Sequence, residues 1–515
     1  MNRTKGLKAL FRADITTEAA HLFFEQLDSE FVSWGDVVSR DCDPRDYQTV
    51  GDFVTAYWTS ESWSKVPVEI PGIDREKEAL TRFFAAEELC RSSNGLLVDF
   101  WSRPAGRFVR SRIGKARGLL GSLLSGITRE EVVQSARWGP GASTSLPRRR
   151  ATAQHKWQLA SHVTVGALPW FSAFCSYGNV PFTKATIVEG NRVTLVPKNA
   201  KTDRVIAIEP DWNMFFQLGL GAALRRRARY VGLLHPDAQE RNQRLARIGS
   251  QNGAYATLDL KSASDGISLS LCELLLPQHV YRMILELRSE RGTVNGESLL
   301  YEKVSSMGNG FTFELETLLF WALSKAVVGD GIVAVYGDDI IVPNQHYDAV
   351  VELLEFCGFV VNPKKSFSSG LFRESCGGHF FQGTDVTPPY FRKKLAHVAR
   401  IISAANAINY RCKTSALLAY RLKPLHCFLK DRVPRHFWGL EGVGDVCLHV
   451  PFDQAVPKWN RRYQCLYGKG IFSRRLSETA PEEGALAEAL WRGGEQTTFP
   501  GEEEVYYVGK WYAYG

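Results

Sequence analysis

Apolar residues recur along this chain at two spacings, and each spacing predicts a different element. In residues 1 to about 135 they return every three or four positions, as in HLFFEQLDSEFVSW, which predicts helices. The same spacing over 311–326 predicts one amphipathic core helix. Short apolar runs within 191–210, 254–260 and 331–342, the last of them rich in Val and Ile, predict strands. The chain is therefore predicted to mix helices with short strands.

Residues 331–342 place acidic side chains at the bend of a predicted hairpin. Two apolar runs of strand length flank Tyr336-Gly337-Asp338-Asp339 with no spare residue between them. Gly337 supplies the backbone freedom that a tight turn needs, and at such a turn the carboxylates of Asp338 and Asp339 can converge. Converging carboxylates favour a divalent-metal site. A solvated Asp-rich turn is the alternative that the local pattern leaves open.

Three further polar residues stand where a predicted strand ends or a predicted helix begins. Asp259 lies near the end of the strand pattern AYATLDL, which is where open sheets place ligands. Asp265 stands at the start of the next predicted helix, so its side chain either caps that helix or recognises a sugar hydroxyl. Asn309 belongs to a Gly/Ser loop that either caps the following helix or approaches a base or ribose closely.

The loop between the two strands predicted within 191–210 is basic. It carries Lys198, Lys201 and Arg204 within seven positions. Three cations on so short a loop can converge on a triphosphate, Arg204 with a two-pronged guanidinium and the lysines as point charges. Hairpin loops are also commonly Lys-rich and solvated, and that alternative stays open on local grounds.

Arginines cluster downstream of this loop. Arg225 and Arg226 end an apolar helical segment, and Arg241 and Arg244 stand three residues apart in ERNQRLARIG, on one face of a predicted helix. We interpret these four arginines as contacts to an RNA backbone. A non-catalytic RNA-binding protein would show the same clusters.

Composition sets broad limits. A length of 515 residues predicts several subdomains, and a formal charge of +8 is informative only because the basic residues cluster. The ten cysteines form no CxxC pair, which disfavours a zinc ribbon or a disulfide framework and favours reduced thiols. No apolar run reaches 18 residues and the first 20 residues have no apolar signal region, so we expect neither secretion nor a membrane span.

In chain order these segments resemble the palm of a nucleic-acid polymerase, and in detail the replicase beta subunit of the single-stranded RNA bacteriophages, the levivirus family. The resemblance rests on LVPKNAKTDR, ATLDLKSASDGIS, MGNGFTFELE, VYGDDIIVP, NPKKSF and SGLFRESCGGHF, which follow the family order over most of residues 138–400. It implies an α+β right-hand polymerase fold with fingers, a palm with an antiparallel sheet, and a thumb. It also implies an RNA-dependent RNA polymerase that replicates a phage single-stranded RNA genome.

The same resemblance divides the chain into four regions. We expect a helical N-terminal region over 1–137 and basic fingers that contact NTP and template over 138–250. The palm with the catalytic motifs is expected over 251–390, and the thumb and C-terminal region over 391–515. Within the last region, the aromatic close VYYVGKWYAYG is predicted to dock as a strand.

For catalysis, the resemblance assigns roles to particular residues of this chain. Asp259 matches the first metal-binding aspartate of the palm, and Asp338 and Asp339 match the pair of the YGDD motif. Together they would hold two Mg²⁺ ions, with Mn²⁺ as a possible substitute. Lys364 or Lys365 falls where polymerases carry a proposed general acid, and the adjacent lysines leave that assignment open.

For the nucleotide, the resemblance assigns the basic loop and two polar residues. Lys198, Lys201 and Arg204 match the fingers motif that contacts the incoming triphosphate. Asp265 and Asn309 match positions that sense the ribose 2′-hydroxyl. These roles are what family membership implies, beside the local alternatives given above.

The resemblance further implies partners and a place of action. Template and product RNA and NTPs would be bound, and the host elongation factors Tu and Ts and ribosomal protein S1 would join the subunit in the cytoplasm of a bacterial host. Two other enzyme classes compete. Reverse transcriptases carry a similar YxDD motif but usually lack the polar residue that corresponds to Asp265, and metal-dependent nucleases use similar carboxylates without a loop for a triphosphate.

Overall fold

The computed structural model describes residues 14–28, 42–66, 68–177, 185–413, 415–442, 444–475 and 505–513. The α-helices within them are α1 (Thr16–Leu27), α2 (Val50–Glu61), α3 (Arg75–Leu97), α4 (Arg107–Leu124), α5 (Arg129–Gln134), α6 (Ala153–Leu159), α7 (Leu168–Tyr177), α8 (Asp211–Tyr230), α9 (Ala238–Asn252), α10 (Leu269–Leu275), α11 (Gln278–Leu287), α12 (Thr312–Val328), α13 (Tyr347–Phe356), α14 (Val398–Cys412), α15 (Ala416–Arg421) and α16 (Lys423–Lys430).

The strands of the described residues are short. They are β1 (His162–Val163), β2 (Thr186–Ile187), β3 (Gly190–Pro197), β4 (Asp203–Ile208), β5 (Tyr255–Leu258), β6 (Leu260–Lys261), β7 (Arg291–Val294), β8 (Glu297–Leu300), β9 (Ala334–Tyr336), β10 (Asp339–Pro343), β11 (Val360–Val361), β12 (Phe372–Ser375), β13 (Gly378–Phe381), β14 (Thr384–Asp385), β15 (Trp438–Gly439), β16 (Leu448–His449), β17 (Lys458–Asn460), β18 (Cys465–Arg475) and β19 (Val505–Ala513).

Helices and mostly antiparallel sheets share the interior, which confirms the predicted α+β class. The larger core draws its side chains from residues 97–359. A second core joins residues 15–66 to residues 367–471. The region predicted as N-terminal therefore contributes to both cores. The four region boundaries remain predictions.

The sheet predicted around the acidic hairpin is present and antiparallel. Its strand order is β5-β10-β9, with β10 in the centre. Ile340 pairs with both Leu258 on β5 and Val335 on β9, and all three side chains are buried. Branched and long apolar side chains suit such a central position because they pack on the pleated surface. This register confirms the predicted hairpin and fixes which residues meet at its end.

The strands predicted around the basic loop are also present. β3 and β4 pair antiparallel, with Val196 opposite Arg204 and Pro197 opposite Asp203, so residues 198–202 form the connecting turn. Asn199 Oδ1 closes that turn by accepting hydrogen bonds from the backbone N–H groups of Lys201 at 2.9 Å and Thr202 at 2.8 Å. Asn side chains commonly organise turns in this way.

The helix predicted over 311–326 is α12, and it ends where expected, at Gly329. Nearly all of its side chains are buried, so it is a central helix rather than an amphipathic one with a solvent face. It packs against α4, α8 and β9. Because α12 packs against β9 and β10, it supports the hairpin bend between them.

The C-terminal aromatic segment forms a strand, as predicted. β19 pairs antiparallel with β18 from Val505 opposite Arg475 to Ala513 opposite Tyr467. All ten cysteines are free thiols, as expected for reduced cysteines. Within the described residues, the helices are too short or too polar to cross a membrane.

Candidate active site

Three aspartates meet at one end of the β5-β10-β9 sheet. Asp259 directly follows β5, Asp338 lies in the hairpin bend, and Asp339 is the first residue of β10. Leu258 pairs with Ile340, so the same antiparallel register carried one residue further sets Asp259 opposite Asp339. Asp259 and Asp339 lie far apart in the sequence, and the sheet register brings them side by side.

Asp259 is held by the turn that follows β11. Asn362 Nδ2 donates to Asp259 Oδ2 at 2.9 Å, and the backbone N–H of Asp259 donates to Ser366 Oγ at 3.0 Å. Sequence reasoning singled out this NPKKSF turn for its lysines and missed Asn362 and Ser366. The available signal was an Asn at the start of a turn directly after a strand.

Asp339 is held by the turn between β12 and β13. Ser375 Oγ donates to Asp339 Oδ1 at 3.2 Å, and the backbone N–H of Cys376 also hydrogen-bonds the Asp339 carboxylate. Cys376 has a positive φ of 49°, which non-glycine residues adopt rarely. The SGLFRESCGG segment therefore serves as a support for the hairpin.

Gly337 is required by the bend. Its φ is +61°, and its N–H donates to Thr317 Oγ1 on α12 at 3.0 Å. A Cβ at this position would lie 2.7 Å from Phe313 Cε2 and 3.1 Å from Glu316 Oε1. The predicted role of Gly337 is confirmed. Glu316 is a buried fourth carboxylate at the bend that sequence reasoning missed.

The site concentrates negative charge in a poorly solvated place. Burial raises the pKa of Asp259 to about 6, and Asp338 and Glu374 act in the same direction against Lys365 and Asn362. Burial, followed by the neighbouring Asp338, raises the pKa of Asp339 to about 7. A cation would stabilise the ionised forms of both groups.

The donor set fits a hard divalent cation, because Mg²⁺ prefers carboxylate oxygens. As the side chains stand in the described residues, no three acidic, His or Cys groups close around one point. The aspartates therefore supply carboxylate ligands and negative charge at the end of the sheet. As they stand, their side chains do not complete a coordination shell.

These pKa directions predict how the metal-free protein responds to pH. A carboxyl whose pKa is higher in the folded than in the unfolded chain destabilises the fold as pH rises from about 4 to about 7. Asp339→Asn should therefore stabilise the EDTA-treated protein at pH 8, by on the order of 2 kcal/mol, and have little effect at pH 4. Chemical unfolding at both pH values measures this. Equal effects at the two pH values would contradict it.

The structure distinguishes the two adjacent lysines. The Glu374 carboxylate raises the pKa of Lys365 above its ordinary range, against the effect of burial, and Asp259 acts in the same direction as Glu374. Lys365 Nζ lies 3.7 Å from Glu374 Oε1. Lys364 is instead an electrostatic neighbour of Asp43. Lys365 therefore belongs to the group of charges around the aspartates.

The basic loop belongs to the same electrostatic neighbourhood. Partial desolvation by the surrounding protein lowers the pKa of Lys198, and the charges of Arg204 and Lys365 act in the same direction while Asp259 opposes them. Lys198, Lys201 and Arg204 are all exposed. The structure thus brings Lys198 and Arg204 near the aspartates as a cationic edge, whereas Lys201 is electrostatically coupled to Glu61.

Asp265 is not a helix cap. The N-cap of α10 is Ser268, whose side chain accepts a hydrogen bond from the Leu271 N–H, so the capping alternative for Asp265 is wrong. Asp265 Oδ1 instead accepts from Lys303 Nζ at 2.8 Å. The helix-start pattern was misleading because the cap lies three residues further along the chain.

Asn309 lies in a loop that is tightly docked. Its Oδ1 accepts from the Phe311 N–H at 3.0 Å, while its Nδ2 is buried and has no hydrogen-bond partner among the described residues. Gly308 has a φ of +113°, and a Cβ there would lie 2.3 Å from the Ala207 carbonyl oxygen on β4. Asn309 therefore has a donor available and a fixed position.

Two of the arginines interpreted as RNA contacts form ion pairs within the chain. Arg225 Nη2 lies 2.6 Å from Glu314 Oε1, and Arg226 Nη2 lies 2.8 Å from Glu131 Oε1. Glu314 is buried. These pairs tie the end of α8 to α12 and α5, which gives both arginines a structural role.

The other two arginines lie on α9, as the three-residue spacing predicted. Arg241 Nη1 donates to the Gly232 carbonyl oxygen at 2.8 Å, and the Arg244 side chain is exposed. Contact with RNA remains a prediction for all four arginines, and Arg244 is best placed for it.

The chain is similar to known replicase subunits over most of its length. A family model described as RNA replicase, beta-chain, matches residues 13–476. The RNA-directed RNA polymerase subunit beta of Enterobacteria phage SP is 40% identical over 486 residues, covering 88% of this chain and 81% of that protein. The subunit of the same name from Escherichia virus Qbeta is 41% identical over 380 residues, covering 72% of this chain and 64% of that protein.

A more distant likeness appears among solved structures. The alignment with the RNA-dependent RNA polymerase of a human picobirnavirus covers 61% of this chain and 69% of that protein, at 13% identity and a TM-score of 0.38.

Proposed function

This chain belongs to the RNA replicase beta-chain family and is an RNA-directed RNA polymerase, and from that premise we propose that it replicates a phage single-stranded RNA genome by two-metal nucleotidyl transfer. The observation that carries the mechanism is the meeting of Asp259, Asp338 and Asp339 at one sheet end, beside Lys365 and the basic loop. This pairing of carboxylates with cations suits a reaction in which a negatively charged triphosphate meets an acidic centre.

Asp259, Asp338 and Asp339 would hold the metal ions. When bound, Mg²⁺, or Mn²⁺ in its place, supplies a lowered pKa for the primer 3′-hydroxyl and neutralises charge on the departing pyrophosphate. The protein's part is alignment and electrostatics, because phosphoryl transfer asks little covalent chemistry of it. Asn362 and Ser375 orient two of the three carboxylates.

The cationic edge, together with Lys201, would bind the triphosphate. Arg204 offers a planar two-pronged donor, and Lys198 and Lys201 offer point charges. Lys365 stays protonated beside Glu374 and is placed to give a proton to the leaving pyrophosphate. The two neighbouring cations, Lys198 and Lys365, thus serve binding and proton transfer respectively.

The ribose would be recognised by Asp265 and Asn309. Asp265→Ala is expected to lower the preference for NTPs over dNTPs by about tenfold or more, since a hydrogen bond to the 2′-hydroxyl is lost. The ratio of kcat/KM for an NTP to that for its dNTP measures this. An unchanged ratio in the variant would remove Asp265 from sugar recognition.

A direct assay separates this proposal from its rivals. The purified chain is incubated with a defined RNA and Mg²⁺, with and without NTPs. A polymerase extends product only when NTPs are present, whereas a metal-dependent nuclease shortens the RNA without them, and a binding protein does neither. Replacing the RNA template with DNA, or NTPs with dNTPs, tests a reverse transcriptase in the same format.

Host partners form the last part of the proposal. By family membership, the elongation factors Tu and Ts and ribosomal protein S1 would assemble with this chain in the cytoplasm of the infected bacterium. Affinity purification of the tagged chain from bacterial extract tests this assembly. Recovery of an active chain that carries none of the three proteins would overturn it.

A further inference from the structure

Lys303 is an unusual residue beside the proposed ribose site. Its side chain has 0% exposure, and its Nζ lies 2.8 Å from Asp265 Oδ1 and 3.0 Å from Glu87 Oε1 on α3. The ammonium also lies 3.8 Å from the ring centroid of Phe83, again on α3. A fully buried lysine is costly unless it is paired, so this arrangement needs both carboxylates.

Helix α3 holds Asp265 through a second contact as well. Cys90 Sγ donates to the Asp265 backbone carbonyl at 3.3 Å. Glu87 is fixed in turn, because its Oε2 accepts from the Glu302 N–H at 2.9 Å. The position of Asp265 is therefore set from a helix of the N-terminal region, outside the stretch that carries the polymerase motifs.

The ion pair leaves part of the Asp265 carboxylate available. Lys303 contacts Oδ1, and the Asp265 side chain retains 16% exposure. A carboxylate has acceptor sites on both oxygens. With Oδ1 fixed by a rigid buried donor, the second oxygen has a defined direction from which it can accept a hydrogen bond.

We propose that Lys303, anchored by Glu87, is a positioning residue that orients Asp265 toward the ribose 2′-hydroxyl, so that helix α3 sets sugar discrimination. This inference rests on the proposed role of Asp265 in recognising the sugar. Lys303 itself touches no substrate in this account. The alternative is a purely structural ion pair that docks α3 on the palm.

The two roles predict different kinetics. Lys303→Met removes the charge and keeps the length of the side chain. If Lys303 positions Asp265, the variant raises KM for NTPs and leaves KM for dNTPs in place, so the NTP/dNTP ratio of kcat/KM falls by about tenfold, the factor that one hydrogen bond is worth. A structural role affects both substrates alike and leaves the ratio constant.

A second variant covers the case in which Lys303→Met does not fold. Glu87→Asp keeps the charge balance and shortens the anchor by one methylene, which draws the ammonium toward α3 and lengthens its contact with Asp265. The NTP/dNTP ratio should then fall by about threefold, a partial loss of the same hydrogen bond. Charge neutralisation, the structural role, is preserved in this variant.

Arg91→Met is the matched control. Arg91 lies on the same helix and pairs with Glu302 at 3.3 Å and Glu88 at 2.8 Å on the exposed surface, without contact to Asp265. Its removal weakens the attachment of α3 and should leave the NTP/dNTP ratio constant. A fall in the ratio with Arg91→Met equal to that with Glu87→Asp would mean that any loosening of α3 changes the ratio, and it would overturn the specific positioning role of Lys303.

The measurement is single-nucleotide incorporation by the full chain, with bacterial extract wherever activity requires it, using CTP and dCTP in parallel. A constant ratio in Glu87→Asp, and in Lys303→Met if it folds, overturns the inference. If Asp265→Ala lowers the ratio in the same assay, the proposed sugar site survives that failure. If Asp265→Ala also leaves the ratio constant, the sugar site and the inference both fail.

Discussion

Asp338→Asn is expected to abolish RNA elongation, with a loss of about 10³-fold or more, since the charge stabilisation that catalytic metal ions supply is worth several kcal/mol. Asp338 stands in the bend between β9 and β10, opposite no strand partner, so the substitution removes one negative charge and preserves the hairpin. Single-turnover primer extension measures the rate. Filter binding of the same RNA should change little.

Asp330→Asn is the control for this variant. Asp330 is an exposed aspartate on the turn before β9, and its replacement should leave elongation near the wild-type rate. Elongation by Asp338→Asn at a rate close to that of Asp330→Asn would remove Asp338 from the active site.

Lys365→Met is expected to slow nucleotide incorporation by about 10²-fold, the lower end of what general acid catalysis contributes. Lys365 is the lysine whose pKa responds to Glu374 and Asp259, so it combines a stable proton with proximity to the aspartates. Lys364→Met should lose much less, since Lys364 is a neighbour of Asp43. Single-turnover incorporation, measured over a range of pH, compares the two.

The kinetic constants distinguish lost proton donation from lost binding. Because Glu374 holds the pKa of Lys365 above its ordinary range, the lysine stays protonated, so Lys365→Met should lower kcat by a similar factor across the accessible pH range, while KM for the NTP changes less. A larger loss from Lys364→Met than from Lys365→Met would reassign the proton donor.

Residue spacing was sufficient to predict the elements whose contacts join residues close together in the sequence. The hairpin, the strands around the basic loop and helix α12 all followed from residue spacing, and Gly337 from the demands of a tight turn. The meeting of Asp259 with Asp339 was reached through resemblance rather than pattern. Pairing between strands so distant in sequence depends on tertiary contacts that periodicity does not encode.

The charge clusters did not show which opposite charges their arginines would meet, and contact with RNA stays a prediction. Arg225 and Arg226 belong to a run that resembles a nucleic-acid contact, but their partners Glu314 and Glu131 lie far away in sequence. A run of like charge shows only that the segment is polar on one side. Which opposite charge reaches it is decided by helix packing, here of α8 on α12 and α5.

The N-terminal region was the largest gap in the sequence analysis. Its helical pattern was evident, but nothing in the pattern linked it to the site. In the structure, Glu87 and Cys90 of α3 contact the residues around Asp265, and residues 15–66 share a core with residues 367–471. A single Glu or Cys on a helix face carries no local sign of such a long-range contact.

Incorporation of labelled NTPs decides whether Asp259, Asp338 and Asp339 form the active site of an RNA polymerase. The template is an RNA with a C-rich 3′ end, and wild type and Asp339→Ala are each assayed with Mg²⁺, with and without bacterial extract. We expect template-dependent product from the wild type and none from Asp339→Ala under any condition. A wild type that needs the extract would also support assembly with host proteins. Product from Asp339→Ala at the wild-type level, or none from the wild type even with extract, would contradict the account.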